Sequence, residues 1–239
     1  TGGHARRPLG VVTPLGKTVT MTLRSYCTYL RRHRDADDPL YLFDSGELAA
    51  ALFHSCLAST PSHVEDLLSA AEEPSGRAPA GLLDGLERRY LTVGPAGSGA
   101  RFHVDPFAAS AVSLLLRGRK LWAFFPPGAA PPGVRETSCG GRPVHESPPA
   151  AWWWRHVFPA RGGRPLAGGA FFVQRAGDVV FTPSGWWHAT LNVGRGPTAA
   201  LTWHVCPPAG AAQVAAELRR EGWGDAASWL AQQLRARHS

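Results

Sequence analysis

The sequence predicts a mainly β fold, a barrel or jelly roll with helices packed at both ends, and three observations carry that reading. From residue 90 onward, short apolar segments recur between glycines and prolines: 90–93, 101–105, 111–116, 121–125, 170–173, 178–182, 187–193 and 198–205. Many short strands separated by Gly/Pro turns are the pattern of closed or double-sheet β architectures. Before and after that stretch the apolar residues switch to helical spacing. Finally, 239 residues with 44% hydrophobic content suit one domain with appendages and suffice to bury a core.

Taken in order, residues 17–22 alternate and read as a short strand. Leu23, Tyr26, Cys27 and Leu30 fall at i, i+3, i+4 and i+7, one face of a helix. Residues 31–38 form a charged exit, 39–44 a strand, 47–57 and 63–71 helices, and 73–79 a loop. The span 126–149 is a Pro/Gly-rich insertion without its own pattern, a kind of segment that is usually functional or mobile. After Pro208 the spacing is helical again. Val214 and Leu218 share one face, Trp229, Leu230 and Gln233 another, and Asp225 is placed to cap the second helix. Leu218, Trp223, Trp229 and Leu230 require burial, so this tail is expected to pack on the core or to pair with a second copy. The organisation is therefore an N-terminal helical and strand region over 1–89 packing on the core, a β core over 90–206 and a helical tail over 207–239. No internal repeat is visible.

Composition narrows the class of partner. The net charge is +7 and the pI about 9.8. An arginine-biased surface is the ordinary reading, and a patch for acidic or nucleic-acid partners the alternative. No basic run is interleaved with aromatics as a single-strand groove would need. Among 25 Lys and Arg, only Lys17 and Lys120 are lysines, so a lysine here is unusual. Cys27, Cys56, Cys139 and Cys206 are far apart and form no C-x-x-C pair. Two disulfides are formally open, but a chain of this size needs no stapling, and free thiols in a reducing compartment are expected. No apolar run approaches the roughly 18 residues of a membrane span.

The chemistry concentrates in a His-x-Asp pair and a distant histidine. His103 and Asp105 lie two residues apart in a predicted strand, so both side chains can face one interior. His188, in the segment Pro183-Ser184-Gly185-Trp186-Trp187-His188, is the best third ligand. Two imidazoles and one carboxylate on one face leave coordination positions open, the facial arrangement of non-haem Fe(II) oxygenases. His-x-Asp alone is weak: with 10 histidines, chance supplies about 0.4 matches in such a chain. A second one, His33-Arg34-Asp35, lies in a charge run without strand pattern and is set aside. His103 taken by itself is as readily a structural histidine. Lys120, 17 residues further at the start of a predicted strand, is placed to hold the far carboxylate of a chelating dicarboxylate; the ordinary reading is a strand-end surface lysine. Tyr41 and Thr202 could share that carboxylate, or simply pack.

With these residues in view, the chain resembles the JmjC domain. The resemblance rests on Gly94-Pro95-Ala96-Gly97-Ser98-Gly99, His103-Val104-Asp105-Pro106-Phe107, Gly118-Arg119-Lys120-Leu121-Trp122, Phe125-Pro126-Pro127, and Gly177-Asp178-Val179-Val180-Phe181-Thr182-Pro183-Ser184-Gly185-Trp186-Trp187-His188. It is most similar to the branch of bifunctional arginine demethylases and lysyl-hydroxylases. Pro39-Leu40-Tyr41-Leu42-Phe43-Asp44-Ser45 and the Trp152-Trp153-Trp154 segment also match that branch. The resemblance implies a double-stranded β-helix of the cupin or jelly-roll type with peripheral N- and C-terminal helices. It implies iron on His103, Asp105 and His188, and 2-oxoglutarate with its distal carboxylate on Lys120, Tyr41 and Thr202. Ser113, counted with the co-substrate residues, stands where the branch has asparagine; Ala100 replaces its threonine, and His204 a second asparagine. His204 either tunes the site or packs beside Trp203.

The family chemistry implied is oxidative decarboxylation of 2-oxoglutarate by Fe(II) and O2, giving succinate, carbon dioxide and an oxidant that attacks a C–H bond. The protein supplies geometry and a dry site. The branch implies a protein or peptide substrate with basic residues, lysyl hydroxylation first and removal of N-methyl groups from arginine or lysine second. An RNA contact and an RNA-directed reaction come third, and an interaction module of weak activity is the reading from another class. No membrane is expected; a nuclear or cytoplasmic setting and homodimerisation through the C-terminal helices are. Tyr41, Trp187, His204 and parts of 126–149 are expected to rim the mouth, with Glu136, Glu146 and Trp187 as partners for a substrate ammonium.

Overall fold

A computed structural model describes residues 8–13, 16–32, 39–57, 66–69, 82, 87–128, 130–139, 142–159 and 168–236. Two antiparallel sheets form the body. The larger has seven strands in the order β10-β5-β12-β4-β3-β1-β2, namely β10 (Val179–Thr182), β5 (Ser110–Arg117), β12 (Thr198–Val205), β4 (Arg89–Gly94), β3 (Tyr41–Asp44), β1 (Pro8–Val12) and β2 (Thr18–Thr22). The smaller has three, β11 (Trp187–Val193), β6 (Arg119–Phe125) and β9 (Ala170–Arg175), with β6 in the middle. The turns after β5, β9, β10 and β11 each carry the chain from one sheet to the other, which is how a jelly roll closes two sheets on one interior.

Alternation decides what enters that interior. On β6, Lys120, Trp122 and Phe124 share a face, opposite Asn192, Thr190 and His188 of β11. On β12, Thr202 and His204 share the corresponding face of the large sheet, opposite Ser113 and Ala111 of β5. The outward faces are covered. Behind the large sheet, Leu42, Leu91 and Leu201 pack with Tyr26 of α1 (Leu23–Arg32) and Ala49 and Phe53 of α2 (Glu47–Leu57). Each such aliphatic side chain contributes about 1.5–3 kcal/mol on burial. Thr22 starts α1, its Oγ1 accepting the Ser25 amide at 3.1 Å. Tyr26 then ties the helix to the sheet by donating to the Val93 carbonyl at 2.6 Å. Behind the small sheet, Phe102, Ala123, Phe125, Trp187 and Ala189 pack with Trp153, whose segment follows the short helix α3 (Ala150–Trp152) as a π-turn over Trp153–Val157. The tail helices α4 (Ala211–Arg220) and α5 (Gly224–Ala236) bury Val214, Leu218, Trp229 and Leu230 against each other, Leu67, Leu68 and Cys206.

Four sequence expectations change. Residues 101–105 are not a strand; only an isolated bridge pairs His103 with His188. The insertion 126–149 is not structureless, because β7 (Arg135–Cys139) and β8 (Arg142–Glu146) form a hairpin inside it. Asp225 lies inside the first turn of α5, where its charge favours the helix dipole, one residue past the helix start. Of the helix expected over 63–71, only 66–69 is described, and it is a turn whose Asp66 Oδ1 accepts the Leu68 and Cys206 amides. Residues 33–38, including His33 and Asp35, lie outside the described residues, as does the loop expected over 73–79. Among the described residues no helix is long and apolar enough to cross a membrane.

Candidate metal centre

The segment leading to His103 is held against β11 by backbone bonds. Asn192 N–H donates to the Ser98 carbonyl at 2.7 Å, Thr190 N–H to Ala100 at 2.9 Å, and His103 and His188 exchange both of theirs at 3.1 and 3.0 Å. This approach requires glycine at 99, since a Cβ there would overlap the Thr190 carbonyl. The exchange sets His103 beside His188, ring centroids 4.1 Å apart. After Asp105 the backbone takes two successive left-handed residues, Phe107 (φ 56°) and Ala108 (φ 52°). Neither is glycine, so strain is stored directly behind the carboxylate, a pattern that concentrates at functional sites.

His103, Asp105 and His188 offer ligand atoms that all lie within 4.8 Å of one another. Each imidazole Nε2 is 3.7 Å from a different oxygen of Asp105. With metal–ligand bonds of about 2.1 Å, one ion bridges such a spacing after small side-chain adjustments. Both rings are prepared for it. Nδ1 of His103 lies 2.8 Å from the Arg101 carbonyl and Nδ1 of His188 3.1 Å from the Trp186 carbonyl. A carbonyl only accepts, so the proton sits on Nδ1 and the Nε2 lone pair faces the centre. Burial, then the charge of His103, pushes the His188 imidazole down to about 4, so it is neutral near pH 7. Burial works to raise Asp105, but the His204 hydrogen bond and the charges of His188 and His103 outweigh it and hold the carboxyl at about 2.

Asp105 gives the clearest sign of a missing neighbour. Its Oδ1 is 3.3 Å from His204 Nε2, whereas its Oδ2 is buried and has no hydrogen-bond partner among the described residues. An ionised buried oxygen without a donor is costly, and a cation removes the cost. The residues present thus fit a divalent ion with nitrogen and oxygen ligands. His204, left ambiguous by sequence, touches the carboxylate directly; its ring is also met edge-on by Tyr90 at 5.6 Å.

The proposed co-substrate residues are brought together as two pairs. Lys120 is 3% exposed and donates from Nζ to the Tyr41 hydroxyl at 3.0 Å. Thr202 Oγ1 donates to Ser113 Oγ at 3.1 Å across β12 and β5. No hydrogen bond links one pair to the other. Among the described residues Lys120 has no carboxylate partner, and a buried ammonium without a counter-ion is unstable unless an anion joins it. Trp122, Phe124 and Phe172 stand nearly parallel beside this interior, with Phe124 5.9 Å from the His188 ring. Gln174 locks that wall, accepting from Trp122 Nε1 at 2.8 Å. Sequence reasoning missed Trp122, Phe124 and Gln174, although alternation from Lys120 already assigns the first two to its face.

A cleft of about 600 Å³ opens at His103. Tyr41, Phe43, Ala100, Trp152 and His156 are among its lining residues. Trp187 does not rim this mouth. Its side chain is 7% exposed and points away from the His188 face, into the cluster with Phe102 and Trp153. Glu136 and Glu146 are on the β7–β8 hairpin and do not line the cleft; Glu136 lies 3.8 Å from His145 instead.

Residues 90–205 match the JmjC domain family, described as a hydroxylase domain. The chain is a JmjC-domain protein. Its β core from β4 through β12 is the matched span, and the three candidate ligands lie within it. The chain is 35% identical over 190 residues to the lysine-specific demethylase JMJ21 of Arabidopsis thaliana, which covers 77% of this chain and 18% of that protein. It is 31% identical over 196 residues to the bifunctional arginine demethylase and lysyl-hydroxylase psr-1 of Caenorhabditis elegans, 80% of this chain and 46% of that one. It is 33% identical over 178 residues to the human 2-oxoglutarate and iron-dependent oxygenase JMJD4, 72% and 40% respectively. The JmjC chain thus spans less than half the length of these relatives.

Proposed function

We propose that this JmjC protein is an Fe(II)- and 2-oxoglutarate-dependent oxygenase acting on protein side chains, lysyl C–H bonds first. The observation that carries the proposal is the Asp105 carboxylate, whose buried Oδ2 has no hydrogen-bond partner among the described residues and whose two oxygens are each approached by the Nε2 of a different imidazole, His188 at Oδ2 and His103 at Oδ1. Lys120 supports the co-substrate half, as a buried side chain with no carboxylate partner among the described residues. The names of psr-1 and JMJD4 support the same chemistry and, for psr-1, a lysyl target.

His103, Asp105 and His188 would hold the iron, and Lys120 with Tyr41, helped by Thr202 and Ser113, the distal carboxylate of 2-oxoglutarate. When bound, iron, 2-oxoglutarate and O2 supply oxidative decarboxylation to succinate and carbon dioxide together with the oxidant for a C–H bond. The chain's own part is positional. The Arg101 and Trp186 carbonyls fix the two imidazole tautomers. Trp122 and Phe124, both buried, with Phe172 stacked beside them, wall one side of the interior. The cleft at His103 admits a long side chain while its backbone stays outside.

A second reading, removal of N-methyl groups, draws on one specific feature. The described cleft lining contains Tyr41, Phe43 and Trp152 but no Asp or Glu. Aromatic faces without a carboxylate suit a methylated cation. Succinate formation with Fe(II), 2-oxoglutarate and basic peptides tests the class. Mass spectrometry then separates the readings: one added oxygen on unmodified lysine is the expected result, whereas methyl loss with formaldehyde supports demethylation. Absence of succinate with every peptide and without peptide would overturn the oxygenase reading.

A further inference from the structure

A second cleft lies at the end of the β core remote from the metal ligands. His188 is the second residue of β11, and the turn 194–197 follows the strand's end, so the two are separated by roughly 20 Å of extended strand. The cleft encloses about 920 Å³. Arg31 reaches it from the last turn of α1, Arg117 from the end of β5, and Arg195 from the turn between β11 and β12. No Asp or Glu is among its described lining residues. Among the described residues these three arginines make no ion pair or side-chain hydrogen bond, unlike Arg88 with Asp66 or Arg220 with Glu217. All three are exposed. Arg32 adjoins Arg31, and the Arg119 guanidinium lies beside Gly194, which extends the same sign of charge around the rim.

Guanidinium groups from three separate elements facing one hollow repel each other unless an anion enters. Each offers a planar fork that matches phosphate oxygens. A hollow of this volume with charge spread along its rim fits an extended polyanion better than one small ion. Its described lining includes no Phe, Tyr or Trp, and so no platform on which bases could stack. We infer that this end of the protein binds the phosphate backbone of a nucleic acid, without reading its sequence. Because the cleft lies far from His103, nucleic acid and a side chain at the metal centre can be held together, and the inference stands independently of the proposed reaction.

Fluorescence anisotropy with labelled single-stranded RNA, single-stranded DNA and duplex DNA of equal length, over a series of KCl concentrations, tests it. The variant Arg31→Ala/Arg117→Ala/Arg195→Ala is compared with Arg135→Ala/Arg175→Ala/Arg235→Ala, which removes the same net charge elsewhere. The cleft variant is expected to bind at least about tenfold more weakly. Its slope of log affinity against log salt should fall by about 2 on single strands and about 3 on duplex, since each neutralised phosphate contributes about 0.7 and 0.9 respectively. The comparison variant should stay within about twofold of the parent, and Arg-to-Lys changes at the three cleft positions should keep the slope. The RNA and DNA probes show which nucleic acid is preferred. Equal weakening by both triple variants would assign binding to diffuse charge and overturn the site. So would failure of the parent to bind any probe, or displacement of the probe by polyglutamate as effectively as by nucleic acid.

Discussion

Asp105 has two oxygens in different circumstances, and the difference sets the first expectations. Oδ1 is taken by His204, while Oδ2 has no hydrogen-bond partner among the described residues. Asp105→Ala or His103→Ala should abolish Fe(II) binding in a titration, whereas His33→Ala should leave it unchanged. His204→Phe keeps ring volume against Tyr90 but removes the donor, and outer partners of a ligand are commonly worth about 10–100-fold in metal affinity. Titration with Co(II), followed by its visible spectrum, should show a loss of that order, with His204→Gln restoring most of it. An unchanged affinity and spectrum in His204→Phe would reduce His204 to packing. Lys120→Ala should raise the 2-oxoglutarate requirement sharply while metal binding persists, because breaking one side of a buried charge pair costs about 2–5 kcal/mol. The acid behaviour of the metal-free protein follows from His188. Its folded value, about 4, lies below the ordinary 6.5, so in that window the unfolded chain holds more protons. Stability should therefore fall as pH drops from about 6.5 towards 4, by at most about 1.4 kcal/mol per pH unit for one proton. Asp105, held at about 2 against 3.8, continues the loss at lower pH. Chemical denaturation in chelator across this range checks the sign, and His188→Gln should flatten the upper part. The candidate ligands and Lys120 stand out in sequence because spacing and rarity mark them. His204 does not, since nothing along the chain says that β12 brings it to Asp105.

Among the elements, the segment 95–105 shows how far periodicity reaches. Its last part, 101–105, read as a strand, sets His103 and Asp105 towards one interior, yet the segment pairs with β11 only through separate bonds and one bridge. What holds it there is the absence of a side chain at Gly99, a constraint visible only once the Thr190 carbonyl is in place. Gly99→Ala must push the segment off backbone that cannot yield. It should lower the thermal midpoint clearly and weaken metal binding together, while Gly210→Ala, where a Cβ meets nothing, should do neither. The β7–β8 hairpin was illegible for a different reason: its residues are mostly exposed, so no alternation of apolar positions announces it. The same exposure explains why Glu136 and Glu146 carry no role at the cleft. Trp187 was misplaced because an aromatic beside a ligand looks functional, although strand alternation sends neighbours of His188 to the opposite face.

At the scale of the whole molecule, the span that matches the JmjC domain is not an independent body. Residues 90–205 include most strands of the jelly roll but neither cover of the large sheet. Leu91 and Leu201 are buried against α1, α2, β1 and β3, which all precede residue 90. Cys206, Val214, Leu218 and Leu230 close another cluster, with Phe107 of the post-Asp105 turn packed against it. Tyr41, the partner of Lys120, also lies outside the matched span. A fragment over 90–205 would expose the apolar back of a seven-stranded sheet reduced to four strands, with β4 as a new open edge. It is expected to aggregate or to lack a cooperative thermal transition, and to bind no Fe(II). Removing only the tail after Pro208 is the milder test. It strips the cover from Phe107, beside the strained turn that holds Asp105, so the loss should appear as a lower thermal midpoint together with weaker metal binding, read by circular dichroism and by titration on the same sample. A tail-less chain that stays monomeric, melts with the parent and binds metal equally would show that α4 and α5 are ornament rather than support for the site.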